Sequence, residues 1–154
     1  MTEAEFLEKA AAAAQAAGHV WPEFAACEAA LESAWGQSAL AREGNNLFGQ
    51  KQETPPMEGT ATIEMQTREF IRDAWVTVPA RWVKFADWSE CFAARMRLLR
   101  AASGEHVHYA QALAAATGEA FVEAVSLTWS TDPGRAAKVL AIWRMHFGKA
   151  VQAA

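Results

Sequence analysis

Acidic side chains close to aromatic residues are the first candidates for chemistry in this sequence. Glu32 lies in the segment AALESAWG at 29–36, near the end of a helical pattern, and the apolar pair Leu47-Phe48 follows along the chain. A carboxyl group against an aromatic wall is desolvated, which favours the protonated form that a general acid needs at neutral pH. Glu32 is therefore a candidate proton donor. The alternative, which the pattern alone favours, is a solvated helix glutamate.

A second set of carboxylates lies in the middle of the chain, at Glu58, Glu64 and Glu69. Around them β-branched and polar residues nearly alternate, which is typical of a strand with one half-buried face. A carboxylate on a hairpin that faces a helix glutamate would give the pair of acidic groups that glycoside hydrolysis uses. The alternative is a row of exposed strand charges.

The turn Asn45-Asn46, followed by Leu47-Phe48-Gly49, contains the next polar candidates. Paired asparagines cap backbone groups and tolerate left-handed geometry, and they can also hydrogen-bond sugar hydroxyls. Composition alone favours the structural role.

Other catalytic arrangements are absent from the sequence. His106 and His108 have no evident third ligand nearby, and the cysteines Cys27 and Cys91 form no metal-binding pattern, so we predict neither a metal site nor a cofactor. Neither a Gly-x-Ser-x-Gly elbow nor a glycine-rich phosphate loop occurs. Cys27 falls on an apolar helix stripe, which favours a buried, inert thiol over a nucleophile.

Composition bounds the class of protein. The chain has 154 residues, 52% of them hydrophobic and 21% charged, with a net charge of −4, so it is typical of a folded globular domain and lacks a basic footprint for nucleic acid. Alanine, the best helix former, accounts for 36 residues. The acidic start at 1–5 and the short alanine run at 10–17 predict neither a signal peptide nor membrane insertion, and hence synthesis in the cytoplasm.

The elements that must position these residues are mostly helical. Thr2 with Glu5 predicts a capping box for a helix at 3–17, and a stripe from Phe24 to Trp35 predicts a second helix that starts at Pro22 and closes at Gly36. Residues 37–43 add one short turn. We further predict a small antiparallel β lobe at about 58–83, with strands at 60–72 and 75–78 joined by a turn at Arg72-Asp73. Helices are also predicted at 87–102, 106–116 and 119–127. A last helix is expected with Asp132 as N-cap and Pro133 in its first position. The fold class is mainly α, in one domain spanning 1–154.

Four separate segments resemble one family. The segments AALESAWG at 29–36 and NLFGQK at 46–51 are similar to the signature of the peptidoglycan β-N-acetylglucosaminidases of glycoside hydrolase family 73, found in flagellar, autolysin and phage-lysin proteins. The aromatic-rich segment FADWSECF at 85–92 and the segment WSTDP at 129–133 agree in family order.

The resemblance implies a lysozyme-like helical fold with a cleft between the β lobe and the helices. By position Glu32 resembles the catalytic general acid. The second carboxylate of such enzymes follows a T-x-E pattern, which Thr67-Arg68-Glu69 matches best, with Glu64 in reserve. The substrate-binding residues expected from the resemblance are Asn46 and Phe48 at the cleft floor, Trp129 and Trp35 along the glycan, and Tyr109.

The sequence departs from the family pattern at Trp129, where the family has a tyrosine that lines the cleft. Tryptophan offers an N–H donor but no hydroxyl, so a step that needs the hydroxyl would have to use Tyr109, the only tyrosine in the chain.

The expected function is an endo-β-N-acetylglucosaminidase acting on peptidoglycan strands, in a monomeric phage or prophage endolysin that reaches the cell wall after release. Three alternatives stay open: an N-acetylmuramidase that cuts the other glycosidic bond, a non-catalytic peptidoglycan-binding module, and a structural phage part.

Overall fold

The computed structural model describes residues 1–148, which form a helical body with a long β-hairpin. None of the described helices combines the length and apolar character needed to cross a membrane. The elements of this part of the chain are α1 (Glu3–Ala16), α2 (Pro22–Glu32), α3 (Ala39–Gly44), β1 (Ala61–Ile71), β2 (Ala74–Lys84), α4 (Trp88–Ala102), α5 (Val107–Leu113), α6 (Gly118–Trp129) and α7 (Arg135–His146).

Helix α2 is the central element of the helical body and packs against α1, α6 and α7. Every residue from 24 to 30 is buried, and the alanines among them are fully enclosed. Small side chains let the surrounding helices approach closely. At Gly118 a Cβ atom would lie only 2.0 Å from the ring of Phe24, so the start of α6 has room for hydrogen alone at this position.

The first helix begins as predicted. Thr2 Oγ1 accepts a hydrogen bond from the backbone N–H of Glu5 at 3.1 Å, and Glu5 Oε2 accepts one from the Thr2 N–H at 2.6 Å, which confirms the capping box.

Helix α2 ends earlier than its apolar stripe predicts. Ser33 Oγ donates to Ala29 O at 2.6 Å and accepts from the Gly36 N–H at 2.8 Å. Ala34, Trp35 and Gly36 all have positive φ, at 51°, 59° and 76°, so the chain turns sharply at this point. Glu32 is therefore the last helical residue, and Trp35 lies outside the helix.

The β element is a two-stranded antiparallel hairpin in which Ile71 pairs with Ala74. Arg72 and Asp73 both have positive φ, at 51° and 63°, the geometry that two-residue hairpin turns prefer, and this confirms the predicted turn. The second strand continues to Lys84, well beyond the predicted end at 78, because its alternation of half-buried and exposed residues persists through Pro79.

The predicted start of the last helix was wrong by two residues. Asp132 Oδ1 accepts from the Gly134 N–H at 2.8 Å and so closes a turn in front of the helix, and α7 begins at Arg135. In the two preceding helices only the ends differ: α5 is shorter than predicted, at Val107–Leu113, and α6 is longer, at Gly118–Trp129.

His19, between α1 and α2, is a polar residue buried in the core, with 4% of its surface exposed. Its Nδ1 bonds to the carbonyl of Val20 and its Nε2 lies 3.3 Å from Nη1 of Arg95, so the neutral ring donates through Nδ1 and accepts through Nε2. Burial, together with the nearby positive charge of Arg95, lowers the pKa of His19 to about 4.

We expect Gly118→Ala to lower the free energy of unfolding by about 1–3 kcal/mol, because the added methyl group overlaps the Phe24 ring. Urea denaturation measures this loss. Gly104→Ala is the matched control, since a Cβ at Gly104 meets no atom within 4 Å. Equal stability of the two variants would contradict the packing described for α6.

We expect His19 to make the fold sensitive to mild acid. The folded pKa of about 4 is lower than the ordinary value of 6.5, so the contribution of His19 is fully present above pH 6.5 and is lost as the pH falls towards 4. The loss amounts to about 3 kcal/mol. Thermal unfolding of the wild type and His19→Gln between pH 7 and 4 tests this. Parallel pH dependences of the two melting temperatures would show that His19 does not titrate in this way.

Candidate active site

Glu32, the candidate acid, lies at the C-terminal end of α2 with 26% of its side chain exposed. Its Oε1 accepts a hydrogen bond from Nε of Arg135 at 2.8 Å. Helix α2 therefore places the Glu32 carboxylate at the surface of the helical body. One oxygen of this carboxylate is hydrogen-bonded to the buried Arg135.

Arg135 is itself fixed from two further directions. Its Nη1 donates to Oγ of Ser126 at 2.8 Å, and its Nη2 lies 2.8 Å from Oε2 of Glu28 in an ion pair. Only 2% of the Arg135 side chain is exposed. The guanidinium therefore joins α7 to α6 and to both glutamates of α2.

Glu28 is the buried centre of this arrangement. Its side chain is fully enclosed and accepts two hydrogen bonds from Arg95 of α4, at 2.6 and 2.8 Å. Burial by itself raises the pKa of a carboxyl group, but the guanidiniums of Arg95 and Arg135 outweigh it and hold the pKa of Glu28 at about 2. We call Glu28, Arg95, Arg135 and Glu32 the charge network; it contains two carboxylates and two guanidiniums.

Aromatic rings enclose the inner end of the charge network. The guanidinium carbon of Arg95 lies 4.5 Å from the ring centroid of Phe48 and 4.6 Å from that of Trp129, and these two rings meet edge to face at 5.9 Å. Phe48 is 6% exposed and Trp129 is half-buried. Both residues were predicted to contact substrate, and both contact Arg95 in the structure.

Tyr109, the other predicted aromatic contact, lies beside Trp129 with their ring centroids 6.3 Å apart. The residue is 7% exposed, and burial raises the pKa of its hydroxyl. The structure thus brings Tyr109, Trp129 and Phe48 together beside the charge network.

The side-chain amide of Asn46, predicted to lie at the cleft floor, is bonded to backbone groups of the loop and of β2. Its Nδ2 donates to the carbonyls of Gln50 and Val83, both at 2.9 Å, and its Oδ1 accepts from the Gln50 N–H at 3.0 Å. Because both amide donors and the acceptor are occupied and the residue is 1% exposed, it has little left for a ligand. Asn46 holds the loop that carries Phe48 against the end of β2.

The two candidate carboxylates of β1 lie on opposite faces of the hairpin. Glu69 is half-buried, on the same face as Ile63 and Met65, and its Oε1 lies 3.5 Å from Nζ of Lys51 in the loop after Phe48. Glu64 is exposed on the other face. Glu69 is therefore the carboxylate on the face that meets the loop, and the described residues show no direct contact between Glu69 and Glu32.

Trp35, three residues after Glu32, lies in the left-handed turn that follows α2. Its ring packs against Phe6 at 6.0 Å and His146 at 5.8 Å, so the turn directs the ring towards α1 and α7. That Trp35 contacts substrate stays a prediction.

Metal-binding side chains do not cluster in the part of the chain that the structure describes. His108 Nδ1 lies 3.1 Å from Oγ1 of Thr128, and His106 packs against Tyr109. Cys27 and Cys91 are free and buried, and burial raises the pKa of each thiol to about 12, which makes both poor nucleophiles.

Sequence reasoning missed the charge network behind Glu32. It expected an apolar wall beside the carboxyl group, whereas the structure places the Arg135 guanidinium there. One signal was present: Glu28 lies four residues before Glu32, inside an otherwise apolar run, and a carboxylate in such a run needs a cation. Which arginines supply the positive charge could not be read from spacing.

Comparisons with known proteins agree with the fold. Residues 8–146 match a family model for glucosaminidases, described as mannosyl-glycoprotein endo-beta-N-acetylglucosaminidase. The exo-glucosaminidase LytG of Bacillus subtilis (strain 168) is 32% identical over 126 residues, which cover 80% of this chain and 43% of LytG. A probable N-acetylmuramidase of Lactococcus lactis subsp. lactis (strain IL1403) is 30% identical over 144 residues, 87% of this chain and 31% of that protein.

A solved structure supports the lysozyme-like expectation. The C-terminally truncated glycoside hydrolase domain of Salmonella typhimurium FlgJ superposes with a TM-score of 0.73 at 26% identity, covering 94% of this chain and 97% of that domain. The chain spans less than half the length of the two curated relatives. Since the family model matches most of its length, the chain belongs to the glucosaminidase family.

Proposed function

We propose that this chain hydrolyses the glycan strands of bacterial peptidoglycan as an endo-β-N-acetylglucosaminidase, with Glu32 as the general acid. The observation that carries the proposal is the Glu32 carboxylate itself, part-exposed at the end of α2 and held by Arg135 through one oxygen, in a chain of the glucosaminidase family. Two relatives are named as an exo-glucosaminidase and a probable N-acetylmuramidase, which supports a glycan substrate for this chain.

In the proposed reaction Glu32 donates its proton to the glycosidic oxygen as the bond to the anomeric carbon breaks. Positive charge develops at the sugar ring, and water adds to the anomeric carbon. Glu69 is the group proposed to activate that water or to stabilise the charge, because it lies on the hairpin face that meets the loop of Phe48. Glu64, on the opposite face, is the alternative.

The name of the Lactococcus relative favours a second candidate, an N-acetylmuramidase that cuts the other glycosidic bond with the same acid. A degenerate module that binds peptidoglycan without cutting is a further outcome of the test. A phage or prophage endolysin that acts on the wall as a monomer, with no nucleic-acid partner, stays a prediction.

We expect wild-type protein to release soluble fragments with reducing-end N-acetylglucosamine from purified peptidoglycan, and Glu32→Gln to release none, because the amide has no acidic proton to give. Mass spectrometry of the fragments measures this. Glu23→Gln, the same change on the exposed first turn of α2, is the matched control and should match the wild type.

Each other outcome has a definite meaning. Fragments with reducing-end N-acetylmuramic acid would indicate that the chain is an N-acetylmuramidase that uses Glu32 as its acid. Substantial release by folded Glu32→Gln would refute the role of Glu32. Binding without any fragments from the wild type would favour the degenerate module.

We expect Glu69→Gln to slow fragment release by roughly 10²-fold or more, the usual size of an acid–base contribution, while Glu64→Gln stays near the wild-type rate. The two variants make the same change on one strand, on opposite faces. Initial rates at equal protein concentration measure the effect, with melting temperatures as a folding control. The reverse ranking would transfer the second role to Glu64.

A further inference from the structure

Glu32 is held by only one of its two carboxylate oxygens. Nε of Arg135 occupies Oε1 at 2.8 Å, whereas Oε2 has no hydrogen-bond partner among the described residues. With 26% of the side chain exposed, the free oxygen is the one that an incoming substrate can reach.

We propose that Arg135 is a positioning residue for the reaction: anchored by Glu28 and Ser126, it fixes the Glu32 carboxylate through Oε1 and leaves Oε2 to deliver the proton. This inference rests on the proposed function, since it concerns the acid of that same site. Arg135 acts through Glu32 and need not touch the glycan.

The anchoring of Arg135 accounts for the positioning role. Its three nitrogens face three different groups, namely Glu32 through Nε, Ser126 through Nη1 and Glu28 through Nη2, each at 2.8 Å. A planar guanidinium presents these donors in a fixed fork, whereas the ammonium of a lysine is a single point of charge on a flexible stem. Arginine therefore locks the direction of the Glu32 carboxylate in a way that lysine cannot.

The charge network lies on the anchored side of Glu32. Arg135 of α7 and Glu28 of α2 are its nearest charged neighbours in the network, Arg95 of α4 lies behind Glu28, and Tyr109 of α5 is the titratable group beside them. From α6 only the uncharged hydroxyl of Ser126 joins the network.

Two ion pairs lie outside the charge network. On the hairpin side Lys51 and Glu69 pair with each other, and on α7 the exposed Lys138 pairs with Asp132. Within the network Arg95, Arg135 and Glu28 sum to one positive charge, and Glu32 is the part-exposed carboxylate next to it.

The test is the separate measurement of kcat and KM on soluble peptidoglycan fragments, because a residue that only orients the acid changes the rate of the chemical step and not the binding of substrate. In Arg135→Met the guanidinium that holds Oε1 is gone, so KM should change little. Its kcat should fall about tenfold or more because Oε1 is no longer held.

Two further variants separate charge from direction. Arg135→Lys keeps the charge and loses the fork, so we expect a reduced kcat with little change in KM. Lys138→Met removes an exposed charge from the same helix as a matched control, and its kcat and KM should equal those of the wild type.

A lower kcat at unchanged KM in folded Arg135→Lys is expected only if the fork directs the Glu32 carboxylate. Melting temperatures are measured alongside, and activities are compared at equal folded concentration. If folded Arg135→Met or Arg135→Lys keeps the wild-type kcat, Arg135 is a structural residue and the inference is overturned. If Arg135→Met does not fold, Arg135→Lys decides by the same criterion.

Failure of the proposed function has a different signature. In that case Glu32→Gln retains activity, or the wild type releases no fragments. A wild type that cuts, an inactive Glu32→Gln and an unchanged kcat in the Arg135 variants would overturn only the role of Arg135.

Discussion

A single buried carboxylate, Glu28, determines how the helices around the candidate site are held. It lies in the middle of α2 and binds Arg95 of α4 and Arg135 of α7, so three helices meet at one charged point inside an otherwise apolar core. Taking ions out of water is costly, and a buried ion pair is seldom a net source of stability compared with well-packed apolar groups. Its effect here is specificity: an arginine that loses Glu28 is left as an uncompensated buried charge, which strongly penalises any other arrangement of these helices.

The same network connects the core to the surface. Arg135 forms ion pairs with both the fully buried Glu28 and the part-exposed Glu32, which lie four residues apart on one face of α2. The packing of α2 and α7 in the core, and not a flexible loop, therefore determines the position of Glu32. The Phe48 and Trp129 rings close the network from the other side by packing on the Arg95 guanidinium.

The hairpin is joined to this body by backbone-directed hydrogen bonds from two asparagines. Asn45 donates to the carbonyls of Phe85 and Ala86 just after β2, and Asn46 binds Val83 at the end of that strand. Asn45 adopts a left-handed conformation, which asparagine tolerates better than most residues. These contacts fix the base of the hairpin beside the loop of Phe48 and Lys51, and the strand period of two then decides that Glu69 faces the loop and Glu64 does not.

The sequence by itself determined the features that depend on local pattern. The capping box at Thr2 and Glu5, the hairpin turn at Arg72-Asp73 and the helical body follow from short-range rules of propensity, period and turn geometry. The segments around Glu32 and Asn46 were enough to indicate the family. The start of α7 was misplaced because Asp132 caps a turn and not a helix, and both uses of the side chain have the same sequence signature.

Tertiary structure alone decided the surroundings of the acid. Arg95 and Arg135 are 67 and 103 residues from the glutamates that they bind, at Glu28 and Glu32 respectively, and no local rule selects them from the other basic residues. The direction of the Trp35 ring also depends on the backbone turn at 34–36 and on the space between α1 and α7. Local conformational preferences depend on neighbouring residues. The pairing of buried charges, by contrast, is determined only when distant helices pack together and exclude water.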